Sequence, residues 1–66
     1  MIKLTQERNR QEWSRAELGR RAHLHPSQIS QIELKRLIPY PKQMKRLAIA
    51  LKYEGDPQEL LNEVEV

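Results

Sequence analysis

The chain has no cysteine and no phenylalanine, and only two glycines. Without cysteine there is no disulfide framework and no thiolate metal site, which suits a reducing compartment. Without phenylalanine the core has to be built from Leu and Ile, and so has to be small and helical. No apolar run approaches the roughly 18 residues of a membrane span, and no secretory leader is visible. The cytoplasm is therefore the expected location, with no membrane partner. There is no Gly-rich phosphate loop and no nucleophile–base pair in evident register, and the chain is too short to close a pocket. No enzymatic activity and no cofactor are expected. Sixty-six residues allow one domain, 1–66, near the lower size at which an apolar core alone suffices.

Charge is present, and unevenly. The formal net charge is +3, yet residues 1–36 carry eight Lys or Arg against four Glu, while 54–66 carry five acids and no base. A basic body with an acidic end suits a polyanionic partner on one side. Solvation of a small domain would use the same bases, so charge alone does not decide.

The most informative stretch runs from Ser14 to Glu33. Ser14 with Glu17 three residues on makes a capping box, flanked by Trp13 and Leu18 as a hydrophobic staple. The design repeats: His25 takes the cap place, Pro26 the first helical position and Gln28 the third, with Leu24 and Ile29 as the staple. Two helix starts eleven residues apart leave about two turns for the first helix, so the chain reverses near His23. A helix-turn-helix is the economical solution. His23 and His25 stand at i, i+2, but Zn²⁺ needs a third and usually a fourth ligand. None has suitable spacing, and no metal is expected.

Helices are expected at about 2–11, 15–22, 26–34, 41–52 and 57–63. The first is thinly apolar, with Ile2 and Leu4 as its main buried residues. Residues 37–41, with two prolines, read as an extended connector. In 41–52, Met44, Leu47, Ala48 and Leu51 form an amphipathic stripe for the core. Glu54-Gly55 breaks the chain before a capped start at Asp56-Pro57. The final Glu63-Val64-Glu65-Val66 alternates, and is open to helix extension, a short strand or fraying.

The helix 26–34 carries the functional signal. Ile29 and Ile32 mark its buried stripe. At 100° per residue Ser27, Ser30, Gln31 and Leu34 then point outward, with Gln28 at the flank. Solubility alone would be served by Lys and Glu. Gln can bond the adenine edge twice, and Ser can bond several base edges. Free N–H groups and dipoles at helix starts favour anions, which makes Arg15, His25 and Lys42 candidates for phosphate. A solvated surface is an equally simple account of Arg20 and Arg21.

Taken together, Trp13-Ser14-Arg15-Ala16-Glu17-Leu18-Gly19, Ile29-Ser30-Gln31-Ile32-Glu33, Pro39 and Leu47-Ala48-Ile49-Ala50-Leu51 resemble the core of the lambda-repressor-like, or xenobiotic-response-element, DNA-binding domains of bacteria and phages. The spacing from Trp13 to Leu51 fits without a gap. The resemblance implies an all-α, compact five-helix domain with the recognition helix in the major groove. It implies an Arg8–Glu33 ion pair, the alternative being two independently solvated charges. It places Pro26, Ser27, Gln28 and Gln31 at base-reading positions, Arg15 at a backbone-contacting one, and Lys35 and Arg36 in a basic loop. Family members often dimerise near the C-terminal end, which makes Leu61, Val64 and Val66 the candidate contacts and Leu60 a core residue.

The chain departs from the family pattern in several places, with Arg15 where a Gln is common and two residues more than usual between the fourth and fifth helices. Glu7 stands where an apolar residue is usual, so the first helix is expected to pack loosely or out of register. Gly19 replaces Ala. His23 replaces the Gly of the turn, and is expected to take its positive φ. Lys35 replaces a second Gly, so the recognition helix is expected to end differently. The expected function is a duplex-DNA-binding transcriptional regulator, a repressor, acting as a homodimer. Alternatives are the antitoxin of a toxin–antitoxin pair, with a toxin or regulator as protein partner, and a protein-interaction module that has lost DNA binding.

Overall fold

Helix starts in this chain, the first aside, follow capping contacts, and helix ends follow four residues held in the left-handed backbone region. The computed structural model describes residues 1–65. Among them lie four α-helices, α1 (Lys3–Arg10), α2 (Arg15–Ala22), α3 (Pro26–Glu33) and α4 (Pro41–Leu51), and a terminal 3-10 turn, Pro57–Leu61. Ser14 Oγ accepts the Glu17 N–H at 3.0 Å and starts α2. Pro26 and Pro41 begin α3 and α4, where a missing N–H costs nothing.

All four helices stop in one way. Glu12, His23, Lys35 and Lys52 have φ of 60°, 58°, 62° and 55°. In each case the next N–H reaches back to the carbonyl five residues before it: Trp13 to Arg8, Leu24 to Gly19, Arg36 to Gln31, Tyr53 to Ala48. This is the Schellman arrangement, normally built on glycine because a Cβ costs about 1–2 kcal/mol in that region. Here neither glycine has positive φ. The expectation for His23 holds. That for Lys35 needs correcting, since α3 ends as a glycine-capped helix would, with lysine carrying the strain. Three of the four following residues, Trp13, Leu24 and Tyr53, pack on the core and tie the ends down.

The core comprises Ile2, Leu4, Leu18, Ala22, Leu24, Ile29, Ile32, Met44, Leu47, Ala48, Leu51 and Leu60. Burying each of the larger side chains is worth roughly 1.5–3 kcal/mol. Nor is α1 loose. Ile2 and Leu4 are fully buried, and Glu7, also buried, holds Arg10 Nη1 at 3.4 Å from its carboxylate.

The fifth helix expected over 57–63 is corrected to the single 3-10 turn. Asp56 caps it by accepting the Gln58 N–H at 2.9 Å, and Leu60 inserts fully into the core. The chain then leaves helical geometry because its backbone pairs with the N-terminal segment. Lys3 N–H donates to Asn62 at 2.8 Å and Val64 N–H to Met1 at 2.9 Å, around an antiparallel bridge between Ile2 and Glu63. The Tyr53 hydroxyl donates to Glu59, which pushes its pKa up to about 12 and links the end of α4 to the turn.

Gly19 is needed for space. A Cβ there would lie 2.5 Å from the Leu24 carbonyl oxygen, which belongs to backbone that cannot swing aside. Gly19→Ala is therefore expected to lose about 1–3 kcal/mol in urea denaturation, against the roughly 1 kcal/mol that alanine gains in an open helix. His23→Gly is expected to gain about 1 kcal/mol. A more stable Gly19→Ala protein would refute the close approach.

Candidate nucleic-acid interface

The close approach at Gly19 sets α2 against the start of α3. Ile29 and Ile32 pin α3 to the core, and its opposite side leaves Ser27, Gln31 and Leu34 exposed. The N-terminus is held by side chains. His25 Nδ1 accepts the Ser27 N–H at 3.1 Å and lies 2.8 Å from Ser27 Oγ. Gln28 Oε1 accepts the His25 N–H at 2.9 Å.

At its other end α3 is anchored by charge. The Glu33 side chain is 2% exposed, and such a carboxylate needs partners. Arg8 supplies two bonds, Nε to Oε2 at 2.7 Å and Nη2 to Oε1 at 3.1 Å, the planar fork that suits a carboxylate. Arg8 Nη1 also donates to the Trp13 carbonyl at 2.8 Å. Arg15 adds a third bond, Nε to Oε1 at 3.0 Å, and its Nη1 donates to Ser30 Oγ at 2.8 Å. One carboxylate thus joins α1, α2 and α3. Two guanidiniums around one carboxylate leave a local excess of one positive charge, and the Arg15 side chain remains 41% exposed.

The sequence pointed to Arg15 as a phosphate ligand but gave no sign that it is bonded to α3, because those contacts join residues 15 and 18 apart. The other basic candidates are spread more widely. Lys35 Nζ lies 2.7 Å from Glu63, which lowers the pKa of that carboxylate. Arg36 is exposed just beyond α3, and His25 at its start. Lys42 lies in the first turn of α4, where it shares with Tyr40, Pro41, Gln43 and Arg46 an open depression of about 530 Å³. Arg46, not singled out by the sequence, thereby joins Lys42. Arg20 and Arg21 both bond Glu17, and Arg21 stacks 4.3 Å above the Trp13 ring.

Of the three residues suggested as dimer contacts, Leu61 is half-buried against the core and Val64 is half-buried with its N–H bonded to Met1. Val66 lies outside the described residues. Leu61 borders an apolar groove of about 270 Å³ with Ile2, Ile32, Lys35, Leu37 and Ile38. Among the described residues no group of three His, Asp or Glu side chains could hold a metal ion, and no helix is long and apolar enough to cross a membrane.

Two helices packed around a left-handed turn, the second with a polar outer face and a buried anchor, define a helix-turn-helix. A family model described as helix-turn-helix matches residues 4–57. The chain belongs to that family, the lambda-repressor-like, xenobiotic-response-element domains, which are DNA-binding regulators. No curated protein and no solved structure matches it.

Sharing Glu33 between two arginines makes their loss non-additive. Arg8→Ala is expected to cost about 2 kcal/mol, less than the 3–5 kcal/mol of a buried charge left alone, because Arg15 remains. Arg8→Ala with Arg15→Ala should cost more than the two single changes together. Urea denaturation of the three variants tests this, and simple additivity would refute the shared carboxylate.

Proposed function

We propose that this protein is a transcriptional repressor that binds duplex DNA sequence-specifically as a homodimer, with α3 in the major groove. The observation that carries the proposal is the division of α3: Ile29, Ile32 and Glu33 are buried, while Ser27 and Gln31 are exposed. A helix anchored on one side and hydrogen-bonding on the other can be inserted without disturbing the core. Pro26, Ser27, Gln28 and Gln31 take the base edges, with Pro26 offering only apolar contact, as to a thymine methyl.

Arg15, His25, Lys35, Arg36 and Lys42 take the phosphates, which position the helix without reading sequence. Arg46 stands beside Lys42 and adds to that set. Leu61 and Val64, together with Val66, form the contact between protomers. The apolar groove beside Leu61, continuing to the exposed Leu37 and Ile38, supports a second copy docking at this end. Two such protomers place half-sites about one helical turn apart.

Selection from a random duplex library is expected to enrich an inverted repeat, bound roughly 10³-fold or more over a scrambled duplex. A single enriched half-site would remove the dimer, and no enrichment would remove the proposal. Gln31→Ala is expected to weaken specific binding by about 1–3 kcal/mol and relax one base position. Arg36→Ala, at an exposed phosphate position outside the Glu33 cluster, should weaken all sequences alike and flatten the salt dependence. Identical behaviour of the two variants would refute this division between bases and phosphates.

A further inference from the structure

The contacts that cap α3 involve the same side chains proposed to read bases, and they constrain the direction of each hydrogen bond. His25 Nδ1 accepts the Ser27 N–H at 3.1 Å, so that nitrogen carries no proton. It also lies 2.8 Å from Ser27 Oγ. With no proton on the ring nitrogen, the hydroxyl must donate. A serine hydroxyl has one proton, so what Ser27 offers outward is lone pairs alone.

Gln28 is committed in the opposite sense. Its Oε1 accepts the His25 N–H at 2.9 Å, which uses one of that oxygen's two lone pairs, holds the oxygen at the cap and leaves both amide N–H donors for an incoming partner. Gln31 is exposed and makes no side-chain hydrogen bond among the described residues, so it keeps both donor and acceptor.

We propose that the capping contacts of α3 preset its base preference, with Ser27 accepting from an amino group, Gln28 donating to an edge of acceptors and Gln31 doing both. This rests on the DNA-reading function proposed above. The major-groove code then assigns each residue a base class. Ser27 takes adenine N6 or cytosine N4, Gln28 takes guanine through O6 and N7, and Gln31 takes adenine through N6 and N7. His25 is a positioning residue that touches no base in this scheme.

The experiment is selection from a random duplex library by the full chain, with Ser27→Ala and Gln28→Ala marking which base position each residue governs. The wild-type protein should select adenine or cytosine at the Ser27 position and guanine at the Gln28 position, each by about tenfold, the effect of one good hydrogen bond. His25→Gly preserves helix initiation at little cost but frees the Ser27 hydroxyl to rotate. The preference at that position alone should then fall about tenfold. Gln28→Glu keeps an oxygen for the cap and has no N–H to donate, so its position should change from guanine to cytosine. Circular dichroism of both variants checks that helix content is unchanged.

Wild-type selection of other base classes at these positions would overturn the inference. So would an unchanged Ser27 position in His25→Gly, or guanine retained by Gln28→Glu. In each of those outcomes DNA reading itself would stand. No enrichment by the wild-type protein would instead overturn the proposed function and this inference together.

Discussion

The carboxylate of Glu33 is the point on which the arrangement of helices depends. It sits at the end of α3, almost completely out of water, and draws Arg8 from α1 and Arg15 from the start of α2. Burying a charge is unfavourable unless its hydrogen bonds are met, and here three bonds from two arginines meet them. The apolar contacts hold the helices together without being directional. The ion cluster is directional, and it settles how α3 is rotated and how far it slides along α2.

That constraint reaches the outer surface through Arg15. One guanidinium touches both the buried carboxylate and Ser30 on α3 while part of it remains in solvent. A side chain at the start of α2 and the helix that follows are therefore one mechanical unit. The opposite end of α3 is held by His25 and Gln28 at its cap. A short helix of eight residues has little stability alone, and this one is fastened at both ends by side chains as well as by Ile29 and Ile32.

The helix-turn-helix was legible because its signals are local. The caps at Ser14 and His25, the prolines at 26 and 41 and the apolar spacing of α4 are all readable within a few residues. Gly19 was legible as a replacement for alanine, and the atom that requires it, the Leu24 carbonyl oxygen folded back against it, was not. Lys35 was read as giving α3 a different end because residue type was weighed and the backbone bond from Arg36 to Gln31 was not. The end of the chain was misread as helix because the pairing of Asn62 and Val64 with residues 1 and 3 spans nearly the whole sequence. Long-range partners are what a linear reading lacks, and the bond from Arg15 to Glu33 belongs to the same class.

The four left-handed helix ends also set backbone comfort against the electric field of the surface. Glu12, His23, Lys35 and Lys52 are polar or ionisable, and three of them carry full charges. Glycine at all four would relax the backbone, but removing two lysines and one glutamate would take the formal net charge from +3 to +2. A third of that excess positive charge therefore rests on residues in conformations they resist. In a domain this small, where each charge shapes the long-range attraction of a polyanion, some strain in the turns accompanies the field around the molecule.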